Sequence, residues 1–285
     1  MHAAIRQPIV VLGAAGMLGR AMLAELLRRN LTHRGASHAD VDLARPQSLA
    51  QGIPAGTGTV INCAGWTNVD AAESHEEEAT KVNGAGVGEL AAHCRAIGAR
   101  LVHYSTDYVF AGQASAPYAT DHPRAPINAY GRSKAVGERL LEQSGADHLL
   151  LRTSWVYAPW GKNFVRTINK LAGERASLSV VNDQLGRPSS AEQIARVTLE
   201  LLNASAQGTF HVCDDGQCTW FEFARAIVAN AGARCSVEPC SSAQFPSPAV
   251  RPSYSVLDLT STSALVGPLV PWRTSLADVM RRLEA

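Results

Sequence analysis

Short apolar runs alternate with segments whose apolar residues recur at helical spacing through the first half of the chain. The runs have the pattern of parallel strands buried on both faces, and the segments between them have that of amphipathic helices. This alternation predicts right-handed crossovers and an α/β fold with a doubly wound parallel sheet, whose ligands bind at the carboxyl ends of the strands. The predicted strands are Ile9–Leu12, Thr59–Ala64, Arg100–Tyr104 and Leu149–Leu151, and the predicted helices are Met17–Arg29, about Glu76–Ala96 and about Ala129–Gln143.

The pattern becomes less regular beyond about residue 160. The elements predicted there are strands Leu178–Val181 and Thr209–Val212 and helices Ala191–Leu202 and Phe221–Ala231. Pro and Ser then interrupt residues 239–252. We expect residues 1–160 to form the doubly wound domain and residues 161–285 to form mainly a smaller α/β domain, with elements interleaved between the two.

The composition excludes several classes of protein. The 285 residues include 26 Lys and Arg against 25 Asp and Glu, a net charge of +1. No basic surface for nucleic acid is therefore predicted. The uncharged stretch at residues 7–19 is too short to span a bilayer, and the N-terminus lacks the pattern of a signal peptide. We expect a cytoplasmic protein that binds neither nucleic acid nor membrane.

The six cysteines are expected to be reduced thiols in such a protein. The last four form two pairs, Cys213 with Cys218 and Cys235 with Cys240. Four residues separate the partners of each pair, which is wider than the usual spacing of a zinc knuckle. No metal site is predicted from them.

A glycine-rich segment joins the first predicted strand to the first predicted helix. Gly13, Gly16 and Gly19 have the spacing G-x-x-G-x-x-G. Glycine permits a tight turn and lets the backbone approach a pyrophosphate, while the helix N-terminus offers unpaired N–H groups to the phosphates. Placed after a buried strand and before an amphipathic helix, this segment predicts a dinucleotide site.

The sequence defines the choice between NADPH and NADH less closely than the presence of a dinucleotide site. An acidic ligand of the ribose usually lies about 20 residues beyond the glycines. That stretch here contains Arg34, Ser37 and His38, and its first acid is Asp40. Because no well-placed carboxylate repels a 2′-phosphate, NADPH is favoured over NADH, and both stay open. Asp42–Leu43 is expected at the edge of the site where the adenine of the cofactor would lie.

A tyrosine and a lysine four residues apart share one face of the third predicted helix. They are Tyr130 and Lys134. A phenol with a pKa of about 10 is a poor acid at neutral pH, and we expect the Lys134 charge to lower the pKa of Tyr130. Tyr130 could then protonate a carbonyl oxygen as a hydride arrives, and Lys134 could also hold the nicotinamide ribose. With the glycine segment upstream, the pair predicts an NAD(P)H-dependent oxidoreductase.

A hydroxyl-rich turn, Ser105–Phe110, follows the third predicted strand. Its position at a carboxyl strand end suits a hydroxyl that binds a substrate carbonyl. Ser, Thr and Asp are also ordinary turn residues, so the catalytic interpretation depends on Tyr130 and Lys134.

Several segments spread over nearly the whole chain match the pattern of one family. They are Gly13–Gly19, Asn62–Asp70, Ser105–Phe110, Tyr130–Lys134, Leu151–Tyr157, Gly161–Phe164, Asp183–Ser189 and Arg251–Asp258. With them the chain resembles the extended short-chain dehydrogenases/reductases and, more narrowly, the dTDP-4-dehydrorhamnose reductases. The resemblance implies a Rossmann-type domain with a smaller nucleotide-sugar domain. It also implies reduction of the C4 carbonyl of dTDP-4-dehydro-L-rhamnose with NADPH or NADH.

The same resemblance implies roles for individual residues. Thr106, Tyr130 and Lys134 would form the catalytic triad. The residues that would line the cofactor are Gly13, Gly16, Met17, Leu18, Gly19, Asp42, Leu43, Ala64, Gly65, Trp66, Thr67, Tyr104, Tyr130 and Lys134. Those that would contact the nucleotide-sugar are Thr106, Asp107, Tyr130, Trp155, Asn163 and Arg251, the last because a guanidinium matches diphosphate oxygens. Core packing is the alternative role for Trp155.

Some members of this family are Mg²⁺-dependent dimers in which carboxylates bridge the subunits. Where the first helix would supply a Glu, this chain has Ala21, and only Glu192 remains as a candidate. The C-terminal helix, expected at Leu276–Leu283, carries Arg281 and Arg282 where acids are needed. We therefore expect no Mg²⁺ site, and both a monomer and a homodimer stay open.

Two alternatives remain beside the reductase. A 4,6-dehydratase of this fold needs an acid pair after the threonine, whereas Asp107 is followed by Tyr108; an epimerase would retain its cofactor through the cycle. A non-catalytic dinucleotide-binding regulatory subunit would be favoured by loss of Tyr130 or Lys134, and both are present.

Overall fold

The computed structural model describes residues 5–283. The strands are β1 Ile9–Leu12, β2 His33–Ala36, β3 Thr59–Asn62, β4 Arg100–Thr106, β5 His148–Thr153, β6 Val156–Tyr157, β7 Ser177–Val181, β8 Leu185–Gly186, β9 Ser189–Ser190, β10 Gly208–His211, β11 Cys218–Thr219 and β12 Ser236–Cys240. The helices are α1 Met17–Arg28, α2 Ser48–Gly52, α3 Val69–Ala72, α4 Glu76–Thr80, α5 Gly86–Ala96, α6 Ala129–Gln143, α7 Phe164–Glu174, α8 Ala191–Asn203, α9 Trp220–Ala231, α10 Thr260–Val266 and α11 Trp272–Arg281. Within residues 5–283 no helix combines the length and apolarity that crossing a membrane requires.

Six strands form one parallel sheet in the order β10-β5-β4-β3-β1-β2. Ile9 of β1 lies between His33 of β2 and Thr59 of β3. The chain therefore builds the sheet outward in opposite directions from β1, which makes the crevice beyond the carboxyl ends of β1 and β3 the place for a ligand. The predicted doubly wound parallel sheet is confirmed.

Helices cover both faces of the sheet, and the strand residues alternate between them. Ile9 and Val11 belong to the core cluster beneath α1 and α8, whereas Val10 and Leu12 belong to the cluster beneath α5 and α6. All four side chains are at most 2% exposed. This two-sided burial explains why β1 appears in the sequence as a continuous apolar run.

A third core cluster lies in the second half of the chain. It is built from α7, α9, α11 and the small sheet that pairs β7 with β12. Its buried aromatic residues are Tyr157, Phe223 and Trp272. By contrast β10, although it lies beyond residue 200, pairs with β5 at one edge of the main sheet.

Several elements differ from the expectation. The interval Glu76–Ala96 contains a π-helical turn, Lys81–Ala85, between α4 and α5. Strand β2 is polar and short, so no apolar run marked it, and α7 was not predicted. The C-terminal helix begins at Trp272 instead of Leu276, because Pro271 lies immediately before it and proline readily precedes a helix.

Candidate active site

The loops after β1 and β3 meet at the carboxyl edge of the sheet. Gly13 has a φ of +67°, and a Cβ there would lie 2.7 Å from the backbone nitrogen of Ala64. A Cβ on Gly19 would collide with the Gly13 carbonyl oxygen. Glycine is therefore required at both positions, and the predicted cofactor residues of the two loops lie side by side.

The N-terminus of α1 opens onto this crevice. Gly16 is its N-cap and provides no side-chain cap, and Met17 and Leu18 form the first turn. The first N–H groups of a helix lack intrahelical partners, and they carry partial positive charge. An uncapped helix start beside close-packed glycine backbone fits the pyrophosphate of a dinucleotide, so the residues present suit this cofactor.

The segment after β2 presents no free carboxylate to a ribose. Both the N–H and the hydroxyl of Ser37 donate to Asp40 Oδ2 at 2.7 Å, which turns this acid back on its own loop. Asp42 is 9% exposed, and it accepts from the Ala44 N–H at 2.9 Å and from Arg45 Nε at 2.7 Å. Burial opposes ionisation of Asp42, yet these hydrogen bonds hold its pKa below its ordinary value.

Asn83, which the sequence patterns did not single out, fixes the loop of Gly65 and Trp66. Its Oδ1 accepts from the Trp66 N–H at 2.8 Å, and its Nδ2 donates to the Trp66 carbonyl and to Ser133 Oγ, both at 3.0 Å. Asn83 lies in the π-helical turn, and helical periodicity cannot indicate such a turn. The loop that carries predicted cofactor residues Gly65, Trp66 and Thr67 is thus tied to α6.

Thr106 and Tyr130 meet where β4 ends and α6 begins. The Thr106 hydroxyl donates to Asp107 Oδ1 at 3.0 Å, and it accepts from the Tyr108 N–H at 3.2 Å. Asp107 is 2% exposed, and burial raises its pKa to about 6. The Tyr108 ring contacts that of Tyr130 edge to face at 6.0 Å between centroids.

The charge relation of Tyr130 and Lys134 differs from the expectation. The two lie one turn apart on α6 as predicted. Burial raises the pKa of Tyr130 to about 12, a hydrogen bond with Thr106 opposes this, and the nearby Asp107 adds to it. The expectation that Lys134 holds the pKa of Tyr130 below its usual value is therefore wrong, because burial dominates and Lys134 is not among the groups that shift this pKa.

Lys134 is 6% exposed, and its Nζ donates to the Tyr104 carbonyl at 2.6 Å. Burial lowers the pKa of Lys134 to about 8, and Glu138 opposes this shift. Tyr104 itself points its phenol away, to Thr198 Oγ1 at 2.8 Å. The predicted cofactor residue Tyr104 thus reaches the site through its backbone carbonyl.

Glu138 lies one turn beyond Lys134 and is fully buried in an ion-pair cluster. It accepts from Arg152 Nε at 2.9 Å and Nη2 at 2.7 Å, and from Arg124 Nη1 at 3.0 Å. Despite burial, Arg152 holds the pKa of Glu138 below its ordinary value. The cluster fixes α6 to the end of β5.

Trp155 adopts a backbone conformation that is rare for its residue type, with a φ of +47°. Its ring stacks on Trp220 at 3.6 Å between centroids and 11° between planes. A Cβ on Gly186 would lie 2.6 Å from Trp155 Cε2. Trp155 is only partly buried, so the stack and Gly186 fix a ring that still has an exposed part.

The other two predicted sugar ligands are engaged within the chain. Arg251 binds Asp70 through Nη1–Oδ1 at 3.0 Å and Nη2–Oδ2 at 2.9 Å, and Tyr108 lies beside the same guanidinium. Asn163 caps α7 by accepting from the Arg166 N–H at 3.1 Å, and its Nδ2 donates to the Ala158 carbonyl at 2.9 Å. Asn163 therefore organises its own loop.

The place where carboxylates could bind Mg²⁺ does not fit a cation. Both Glu192 oxygens accept from Arg282, at 2.8 Å from Nη1 and 2.5 Å from Nη2. The guanidinium occupies the carboxylate that a metal would need. In the part of the chain that the structure describes, no group of three or more His, Cys, Asp or Glu side chains could hold a metal ion.

Comparison with known proteins indicates the family of the chain. Residues 7–285 match the family described as the RmlD substrate binding domain. The dTDP-4-dehydrorhamnose reductase of Burkholderia thailandensis is 39% identical, with 96% of this chain and 98% of that protein covered. The dTDP-4-keto-6-deoxy-D-glucose reductase of Streptomyces niveus is 38% identical, with 97% of each covered.

Among solved structures, the dTDP-4-dehydrorhamnose reductase of Bacillus anthracis, determined in complex with NADP, superimposes with a TM-score of 0.91. It is 33% identical in sequence, and the match covers 97% of this chain and 99% of that one. The similarity therefore extends over both the main sheet and the smaller region of the second half.

Proposed function

The chain belongs to the RmlD substrate binding domain family, and we propose that it is a dTDP-4-dehydrorhamnose reductase. It is an NAD(P)H-dependent oxidoreductase that converts dTDP-4-dehydro-L-rhamnose to dTDP-L-rhamnose by reducing the C4 carbonyl, with NADPH as the expected cofactor. The observation that carries this proposal is the contact between Thr106 at the end of β4 and Tyr130 at the start of α6, with Lys134 one turn further along that helix and bound to the Tyr104 carbonyl.

In the proposed site, the first turn of α1 binds the pyrophosphate, and the loop Ala64–Thr67 lines the other side of the cofactor. The absence of a free carboxylate after β2 supports NADPH. When bound, this cofactor supplies the hydride. Lys134 donates to its ribose and keeps the start of α6 in place through the Tyr104 carbonyl.

The proton comes from Tyr130 in this proposal. Tyr130 and Thr106 both bind the C4 oxygen, and Tyr130 transfers its hydroxyl proton to that oxygen as negative charge develops there. The pKa of Tyr130, about 12, keeps the phenol protonated and able to donate at neutral pH. Without substrate the one hydroxyl proton of Thr106 is donated to Asp107, so this hydroxyl must turn from Asp107 to the C4 oxygen when the sugar binds.

The sugar nucleotide is proposed to lie between the two halves of the chain. Trp155 contacts the sugar. Arg251 leaves Asp70, to which it is bound in the structure, and binds the diphosphate instead. Asn163 contributes by holding the loop beside Met17. Residues 1–160 would bind mainly the cofactor and residues 161–285 mainly the sugar nucleotide, in a cytoplasmic enzyme that is a monomer or a homodimer.

A stoichiometric assay tests the proposal. Purified protein is mixed with NADPH or NADH and with dTDP-4-dehydro-L-rhamnose, and absorbance of the reduced nicotinamide is followed while the product is identified by NMR. We expect one dTDP-L-rhamnose for each NADPH oxidised. Because the Streptomyces niveus relative is named for another sugar, dTDP-4-keto-6-deoxy-D-glucose is included, and a clear preference for it would contradict the assigned substrate.

A further inference from the structure

Two buried polar side chains lie behind Lys134, and neither belongs to the proposed triad. Asn62 ends β3 and His103 lies beside it on β4, in the register that pairs these two residues. They are 1% and 0% exposed. Asn62 Nδ2 is 3.0 Å from His103 Nδ1, and His103 Nε2 is 3.5 Å from Lys134 Nζ. These contacts form a continuous line from the loop after β3 to the catalytic lysine.

The hydrogen bonds along this line define the tautomer of the imidazole. The Ala64 N–H can only donate, so the Asn62 atom that it contacts at 3.0 Å is the carbonyl oxygen Oδ1. The Asn62 amide therefore donates to His103, and Nδ1 of the ring must accept. Burial, with the nearby Lys134 and His148, holds the pKa of His103 well below its ordinary value, so the ring is neutral. Its one proton is then on Nε2, which faces Lys134.

We propose that His103 is a positioning residue for Lys134. Asn62 holds the ring in one tautomer, so that His103 turns an N–H toward the Lys134 amine. The N–H bonds of that amine are thereby directed to the Tyr104 carbonyl and into the catalytic site. Two donors cannot form a hydrogen bond with each other, so Lys134 has its nearby acceptor in Tyr104, at 2.6 Å. A donor that faces an ammonium also disfavours its charge. This inference rests on the proposed function, because it concerns the lysine of the same site.

Burial is the main reason why the pKa of Lys134 is lowered, and Glu138 on the same helix opposes this shift. In the proposed arrangement the His103 N–H adds to the effect of burial, because a donor that faces the amine disfavours its charged form. Several other charged groups on elements packed against α6 are engaged in contacts of their own. They include Asp107, which accepts from Thr106, Glu73 bound to the Ala129 N–H, Glu76 bound to Arg132, His93 bound to the Ile53 carbonyl and Arg95 bound to the Ser144 carbonyl.

The protonation of Lys134 can be measured without any substrate. The chain has four lysines, Lys81, Lys134, Lys162 and Lys170, so ¹³Cε labelling gives four NMR signals, and Lys134→Arg identifies the relevant one. We expect Lys134 to titrate with a pKa of about 8 in the wild type. In His103→Phe the opposing N–H is lost, and we expect the Lys134 pKa to rise by about one pH unit, a tenfold change in proton affinity.

A second variant reverses the tautomer instead of removing the ring. In Asn62→Asp a carboxylate still accepts from the Ala64 N–H but now accepts from His103 Nδ1 as well, so Nε2 becomes an acceptor for Lys134. The Lys134 pKa should again rise, and the alkaline limb of the pH dependence of kcat should move to higher pH with it. His93→Phe, a histidine on α5 away from the site, is the matched control and should leave both unchanged.

The outcomes separate this inference from the proposed function. An unchanged Lys134 pKa in both His103→Phe and Asn62→Asp would overturn the inference about His103. A rise in Asn62→Asp alone would overturn it too, because added charge and not the imidazole N–H would then be the cause. His103→Leu replaces His103→Phe if the latter does not fold. Failure of the wild type to reduce the sugar contradicts the proposed function, while the NMR titration still decides the role of His103.

Discussion

Burial moves the pKa values of Tyr130 and Lys134, the two proton-carrying groups of the proposed site, away from each other. The pKa of Tyr130 rises to about 12 and that of Lys134 falls to about 8, in both cases because the charged form loses solvation. Both groups therefore approach neutrality at moderately alkaline pH. In the proposed mechanism Tyr130 is an acid that keeps its proton until the oxygen of the substrate becomes basic enough to take it.

Replacement of Tyr130 by Phe removes the proton donor with little change of shape. We expect kcat to fall by about a hundredfold or more, in the range of general acid catalysis, with the Kd of NADPH nearly unchanged. Tyr108→Phe is the matched control, since its ring packs against Tyr130 while its hydroxyl interacts with Arg251 and has no part in the proposed proton transfer. Steady-state kinetics and fluorescence titration of NADPH measure the two quantities. Near wild-type turnover in Tyr130→Phe would remove Tyr130 from the mechanism.

At the residue scale, spacing in the sequence was sufficient to single out Tyr130, Lys134 and the glycines as candidates, because each depends on a local element. The direction of the pKa change was not available, since it depends on burial by distant segments. Asn83 and His103 were missed for a related reason. Their partners lie 17 to 50 residues away from Asn83 and 31 to 41 residues away from His103, and no local pattern marks such contacts.

At the scale of elements, β8 and α9 together determine the position of Trp155. Gly186 of β8 contacts one edge of the indole, and Trp220 of α9 covers one face. The backbone of Trp155 lies in the left-handed region, so the ring depends on these neighbours to stay in place. A change in either element should therefore affect the proposed sugar site without affecting the proposed cofactor site.

Gly186→Ala tests this dependence. The new Cβ would lie 2.6 and 2.7 Å from the Cε2 and Cζ2 atoms of Trp155, so the indole must move. We expect the KM of the sugar nucleotide to rise about tenfold, equivalent to about 1.4 kcal/mol, with the KM of NADPH unchanged. Gly173→Ala in α7 is the control, because a Cβ there meets nothing within 4 Å. Equal effects of the two variants on the sugar KM would exclude a role for the Trp155 position.

The sequence predicted the long buried strands and amphipathic helices of the main sheet. It missed β2, because this strand at the edge is polar and carries no apolar run. The strands β6, β8, β9 and β11 have two residues each, too few for a period of two to appear. Of the two elements beside Trp155, β8 belongs to this group, and the helix predicted at Phe221–Ala231 gave no sign that Trp220 stacks on Trp155, so the support of its ring could not be predicted.

At the scale of the whole molecule, Asp214 joins segments that are distant in sequence. It is 1% exposed, and its Oδ2 accepts from the Ser190 N–H at 3.2 Å and from the Tyr157 hydroxyl at 3.4 Å. Burial raises the pKa of Asp214 to about 7. The fold therefore favours the neutral acid, whose stabilising contribution is complete below the unfolded pKa of about 3.9 and is lost as the pH rises to about 7.

Asp214→Asn removes this titration. We expect the Tm of the variant relative to the wild type to increase steadily from pH 4.5 to pH 7 and to stay constant above about pH 7. Asp215→Asn is the matched control at the next position, where the side chain is 62% exposed, and its Tm difference should not vary with pH in this way. A difference for Asp214→Asn that is independent of pH would contradict the assigned ionisation.

The Glu192–Arg282 ion pair leads to a prediction about metal dependence. Because the guanidinium occupies both carboxylate oxygens, we expect kcat, Tm and the mass in solution to be unchanged by excess EDTA and by added Mg²⁺. Turnover, differential scanning fluorimetry and analytical ultracentrifugation provide the three measurements. Loss of activity in EDTA that Mg²⁺ restores would show that a carboxylate site exists after all.

The central claim is transfer of a hydride from NADPH to C4 of the sugar, and isotope transfer measures it directly. NADPH carrying deuterium at C4 of the nicotinamide, prepared in each of its two stereochemical forms, is incubated with dTDP-4-dehydro-L-rhamnose and the protein. With one of the two forms, we predict one deuterium at C4 of dTDP-L-rhamnose for each NADPH oxidised, as observed by NMR. A sugar product without deuterium at C4 from either form, or a changed sugar without net oxidation of NADPH, would contradict the account.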